Sequence, residues 1–176
     1  MNKEENRKEN RWFAIRVILL LIFGLLANLI IEAQNEDWIQ PPFEGYYKLY
    51  KTRLNKAGIE LPVDYVAIRY NTNLKYTPYL GVARGMWMPT VVNVIISERW
   101  NTYPMAARMW VIFHELTHDI FNIEHGEIDL MQAGLPEWLE SWDVDEAMDQ
   151  LVRFLKKDYD WDRVKEDRSA LGQMTK

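Results

Sequence analysis

Cysteine is missing from this 176-residue chain, and histidine occurs only three times. Without cysteine there can be no disulfide, no thiolate metal ligand, no cysteine nucleophile and no lipid-modified cysteine at the N-terminus. Any metal has to be held by His, Asp or Glu. Beyond the first sixteen residues there is also no Lys/Arg cluster, and with a formal net charge of -5 this argues against nucleic acid as a partner. Internal repeats and low-complexity tracts are absent as well. The length suits one compact domain with a hydrophobic core, smaller once the N-terminus is set aside.

That N-terminus has its own pattern. Residues 1–11 are hydrophilic and carry Lys3, Arg7, Lys8 and Arg11, whereas residues 12–31 are apolar apart from Arg16 and Asn28. A stretch of about twenty apolar residues spans a bilayer as a helix. The next basic residue after Arg16 is Lys48, while Glu32, Glu36, Asp37 and Glu44 intervene. The positive-inside rule therefore predicts a single-pass membrane protein: residues 1–11 in the cytoplasm, a transmembrane signal anchor over 12–31, and everything after it outside. Its rival is a cleaved signal peptide, which would make the protein secreted. Ile31-Glu32-Ala33 is an imperfect cleavage site, because Ile exceeds the small residue preferred there. Residues 32–42, ending in Pro41-Pro42, read as a linker, with the folded domain over 43–176.

Within that domain, the spacing of Phe43, Tyr46, Tyr47, Tyr50, Leu54 and Ala57 predicts a helix that Gly58 stops, its aromatics serving as core. Residues 64–70 have strand chemistry, Asn71-Thr72-Asn73 is a turn, and 79–83 is a second strand, with Gly81, Gly85 and Pro89 as breakers. Residues 91–97 are the best strand in the chain. A helix follows, beginning near Thr102 or Pro104. After residue 125 an irregular stretch runs through Gly134-Leu135-Pro136. Another helix covers part of 137–157, with Val144, Met148, Leu151, Val152 and Leu155 on its buried side, and the charged residues 159–176 are expected to fray.

All three histidines lie in His114-Glu115-Leu116-Thr117-His118-Asp119-Ile120-Phe121-Asn122-Ile123-Glu124-His125. The first five residues spell HExxH. Positions four apart share one helix face, so His114 and His118 can point two imidazoles at one ion, with Glu115 beside them to take a proton from water. A catalytic zinc needs a third protein ligand and one open position. His125, beyond the end of the helix, is the candidate; a resemblance to gluzincin peptidases, which take a glutamate from a later helix, would instead imply Glu137 or Glu140. Glu124, Glu127 and Asp129 are placed to orient a ligand or simply to solvate a loop. The bland alternative is three ordinary histidines with no metal. However, a carboxylate and two imidazoles flanked by Met109-Trp110-Val111-Ile112-Phe113 and Ile120-Phe121 would need polar partners in any case.

These residues resemble the metzincin clan of zinc peptidases, whose pattern is HExxHxxGxxH followed by a methionine in a tight turn. The counterparts here are His114 to His118, then Asn122 to His125, then Met131. The close match covers about eighteen residues and departs from the clan in two ways. One extra residue follows His118, and Asn122 replaces the turn glycine. Asn tolerates the left-handed conformation such a helix end requires. The resemblance implies an α+β zincin-like domain with a small mixed sheet and an active-site helix, similar to small, divergent bacterial metallopeptidases. It also implies Zn2+ held by His114, His118 and His125, Glu115 as catalytic base, and Met131 beneath the site. The function so implied is a membrane-anchored metallopeptidase hydrolysing peptide bonds of a peptide or protein substrate. The alternatives are a zinc amidase acting on cell-wall material, or a non-catalytic membrane-tethered binding protein that keeps the fold. In a peptidase, the strand over 91–97 or the one around Tyr79 could receive an extended substrate as an added strand.

Overall fold

The computed structural model describes residues 37–84, 91–137 and 139–162. The expected cytoplasmic segment and the anchor over 12–31 lie outside the described residues. No helix among those described is long and apolar enough to cross a membrane. Residues from Asp37 onward form a compact unit of their own.

That unit is α+β, a four-stranded mixed sheet with three helices. In chain order the elements are β1 (Trp38–Ile39), α1 (Pro41–Lys56), β2 (Tyr65–Tyr70), β3 (Gly81–Ala83), β4 (Val91–Ile96), α2 (Met105–Phe121) and α3 (Ser141–Lys157), with short 3-10 turns between. The strand order is β1-β2-β4-β3. The first three run parallel, and β3 closes one edge antiparallel to β4, with Gly81 opposite Ile96 and Ala83 opposite Val94.

The elements form where the apolar spacing places them. Helix α1 starts at Pro41-Pro42, where missing amide hydrogens cost nothing, and buries Phe43, Tyr47, Tyr50 and Leu54. Gly58, at φ 75°, then turns the chain out of the helix. Strand β4 lies between β2 and β3 and buries Val92, Val94, Ile95 and Ile96. Helix α2 is buried almost all round, which marks a core helix and not a surface one. Beneath it, Trp100 stacks edge-on against Phe43 and Tyr46 and donates its indole N–H to the Arg108 carbonyl at 2.9 Å. Helix α3 buries Val144, Ala147, Met148, Leu151 and Leu155, and leaves Val152 half-buried.

Two expectations need correction. The linker over 32–42 does not reach Pro42: Trp38 and Ile39 pair with Ala67 and Ile68 of β2. Asp37 accepts hydrogen bonds from the Val66 amide and the Tyr47 hydroxyl, both at 2.9 Å, and Gln40 accepts from the Tyr70 amide. A polar, proline-flanked segment is thus drawn in because the exposed edge of β2 offers unsatisfied backbone groups. The second correction concerns the tail. Tyr159 and Trp161 do not fray but pack edge-on against Phe121, and Tyr159 donates to the Phe121 carbonyl. Residues 163–176 lie outside the described residues.

Candidate metal centre

Helix α2 carries the motif and is shaped to present it. Three polar side chains on the helix are buried, and each has a partner. Thr117 shares a hydrogen bond with the Tyr50 hydroxyl of α1 at 2.9 Å, and Asp119 accepts the Asn93 amide of β4 at 2.7 Å. Glu115 accepts the backbone amide of Ala83 in β3. These bonds reach α1, β4 and β3 from one helix, and so fix its rotation about its own axis.

His114 and His118 then emerge half-buried on one face, their ring centroids 4.6 Å apart. Each has its Nδ1 against a backbone oxygen, His114 on Leu130 at 2.7 Å and His118 on Ile123 at 2.6 Å. A carbonyl can only accept, so Nδ1 carries the hydrogen in both rings and Nε2 is left with its lone pair. The orienting groups are therefore backbone carbonyls, and not Glu124, Glu127 or Asp129. Glu127 instead accepts the amide of Glu124, and Asp129 is held through its own amide by Gln150.

The chain reaches the third histidine through a left-handed residue. Asn122 has φ 52° and ψ 37°, the sole non-glycine residue at positive φ among those described, and donates its amide to the His118 carbonyl at 2.9 Å. The left-handed conformation is the one expected of Asn122 at this helix end, and the reversed chain brings the Ile123 carbonyl against His118. Gly126, at φ 89°, makes the next turn and donates to the Met131 carbonyl at 2.8 Å. His125 Nε2 thereby comes to 3.2 Å from His114 Nε2. One ring nitrogen from each of the three histidines lies within 4.8 Å of the other two.

Glu137 and Glu140 do not join them. Among the described residues the three histidines form the one cluster of metal-ligand type, and Glu140 stands at the N-cap of α3, where Asp143 accepts its backbone amide at 2.7 Å. Met131 is fully buried in a tight 3-10 turn, Asp129–Met131, and its neighbour Leu130 supplies the carbonyl to His114.

His114, Glu115, His118 and His125 line one cleft of about 660 Å³, together with Tyr79, Gly81 and Trp110. Burial pushes the Glu115 carboxyl up to about 7; the Ala83 amide opposes this and the charge of Asp119 adds to it. Burial pushes His114 down to about 4, against the pull of the Leu130 carbonyl and with a contribution from the other two histidines. Burial lowers His118 in the same direction. The site therefore holds two imidazoles that resist protonation beside a carboxyl that resists ionisation.

The sequence offered no means of seeing the carbonyl oxygens of Leu130 and Ile123 or the amide of Ala83, because backbone groups carry no residue signature. Gly81 did leave a trace, as an isolated glycine within a strand. Compared with protein-family models, with curated proteins and with solved structures, the chain matches none.

Proposed function

We propose that this chain is a zinc-dependent metallopeptidase of the zincin type, with His114, His118 and His125 as metal ligands and Glu115 as the group that carries the proton. The observation that supports it is the meeting of three imidazole nitrogens within 4.8 Å on the wall of a cleft that also receives a buried carboxylate. The donor set fits the ion: borderline-soft, neutral nitrogens, two of them locked in the tautomer that frees Nε2, each backed by a carbonyl. Bound there, zinc would supply Lewis acidity, lowering the pKa of a water and stabilising charge that develops on a carbonyl oxygen.

The remaining work falls to the chain. Glu115, with its affinity for a proton near neutral pH, accepts one from the attacking water and returns it to the leaving amine. The Nδ1–H bonds to Leu130 and Ile123 keep two ligand rings from turning. Among the described residues β3 is the outermost strand and lines the cleft, so an extended peptide can be added along its free edge up to the Ala83 amide that Glu115 holds, whereas β4, flanked by β2 and β3, has no edge to offer. The anchor over 12–31 would place this chemistry outside the cytoplasm.

The test is metal content of the full chain purified without chelator, beside His125→Ala. One zinc per chain, lost or much weakened in the variant, is the expected result. Zinc retained by the variant would move the third ligand elsewhere, and no metal even after zinc is supplied would overturn the reading. Peptides and cell-wall amides offered in parallel then separate peptidase from amidase.

A further inference from the structure

Gly81 is the only described glycine whose missing side chain leaves room for a neighbour. A β-carbon at Gly45, Gly58, Gly126 or Gly134 would meet nothing within 4 Å. At Gly81 it would lie 2.6 Å from Cγ of Glu115, 2.9 Å from Oε1 and 3.0 Å from Cδ. Those three atoms all belong to one side chain, and the backbone of Gly81 does not adopt a positive φ that would itself require glycine. Glycine within a strand weakens it, and where no bulge or turn demands it, a close approach is the usual reason. On the other side, β3 gives Glu115 a donor. The Arg84 amide pairs with the Asn93 carbonyl of β4 at 2.9 Å, so by strand alternation the Ala83 amide faces away from β4, where it reaches Glu115.

We propose that Gly81 is a positioning residue for Glu115: β3 passes so close to the carboxylate that hydrogen is the largest substituent that leaves it in its seat against the Ala83 amide. A methyl group at position 81 displaces the Glu115 side chain from its Cγ outward. The three histidines, held through Leu130, Ile123 and the turn at Asn122, stay where they are. The catalytic consequence rests on Glu115 carrying the proton, as proposed above; the seat itself does not.

The experiment is made on the metal-free full chain first. Exchange of the Ala83 amide with solvent, followed by NMR, is expected to be at least about tenfold faster in Gly81→Ala than in the wild type, and equal to that in Glu115→Ala. Unchanged Ala83 protection would overturn the proposal. Thermal unfolding provides a readout that survives a poorly folded single variant. Gly81→Ala should lower Tm in the wild-type background and leave it unchanged in the Glu115→Ala background, where the clashing atoms are gone. An equal drop in both backgrounds would place the clash elsewhere and overturn the seat.

On a cleaved peptide, with zinc content equal in all variants, Gly81→Ala is expected to lower kcat about 100-fold with KM within about threefold of wild type. The Gly81→Ala, Glu115→Gln double variant should be no slower than Glu115→Gln alone. Multiplying losses would show that Gly81 acts through another group. Should the wild type cleave nothing, the peptidase reading fails, while exchange and Tm still decide the seat.

Discussion

Glu115 lives under opposing demands. It is 9% exposed, packed between a strand glycine and an amide, and burial pushes its carboxyl from 4.5 up to about 7. Because its folded pKa lies above the ordinary value, the folded metal-free chain binds more protons than the unfolded one between pH 4.5 and 7. Its contribution to stability is therefore full below 4.5 and lost as pH rises through 7. Metal-free Glu115→Gln should accordingly gain on the wild type as pH climbs through this window, by about 3 kcal/mol at pH 8, in denaturant titrations. His114, pushed down to about 4, works the other way: its contribution is present above 6.5 and fades as pH falls towards 4. Once zinc is bound, Glu115→Gln should keep the metal and lose at least about 100-fold in kcat on a peptide substrate. Retained activity with retained zinc would remove Glu115 from the chemistry.

At the scale of elements, the turn between α2 and His125 joins helix capping to the placement of the third histidine. Asn122→Gly should be nearly neutral, because both residues accept the left-handed conformation, whereas Asn122→Val should cost about 1–2 kcal/mol in chemical unfolding. The valine variant should also bind zinc more weakly, since the same turn brings the Ile123 carbonyl to His118. A valine variant with wild-type zinc affinity would separate the cap from the ligand set. The other end of the unit makes a comparable point. Asp37 holds both the Val66 amide and the Tyr47 hydroxyl, so Asp37→Ala should destabilise by about 1–3 kcal/mol. A fragment starting at Phe43 should be less stable than one starting at Asp37, as it lacks Asp37, β1 and the Pro41-Pro42 start of α1.

For the molecule as a whole, the site gathers one helix, the loop that follows it and an edge strand, so the proposed zinc would couple its binding to folding. Chelation should abolish peptidase activity and lower Tm, and added zinc should restore both. At free zinc a hundredfold above Kd the stabilisation is about 2.7 kcal/mol. A Tm indifferent to chelator would argue against zinc in this cluster. The ion pair between Arg53 of α1 and Asp145 of α3 joins the outer helices, but it is surface-exposed and contributes at most about 1 kcal/mol.

Legibility followed the range of each interaction. Helix α1, the strands β2 and β4, the motif helix and the buried side of α3 could be read from apolar spacing, because periodicity records which face each element turns inward. His114 and His118 could be paired because four residues make one helical turn, and the left-handed Asn122 because few residues accept that conformation. Other features depended on contacts between residues far apart in the chain. The recruitment of Trp38–Ile39 as a parallel edge strand required β2 to be in place, its partners Ala67 and Ile68 lying 29 residues later in sequence. The carbonyls that lock two imidazoles and the amide that meets Glu115 are backbone groups, identical at every position until the fold chooses among them. Gly81 read from the sequence only as a breaker, with no sign of what lies against it. That the neighbour is Glu115, 34 residues away, was decided by the packing of α2 against β3.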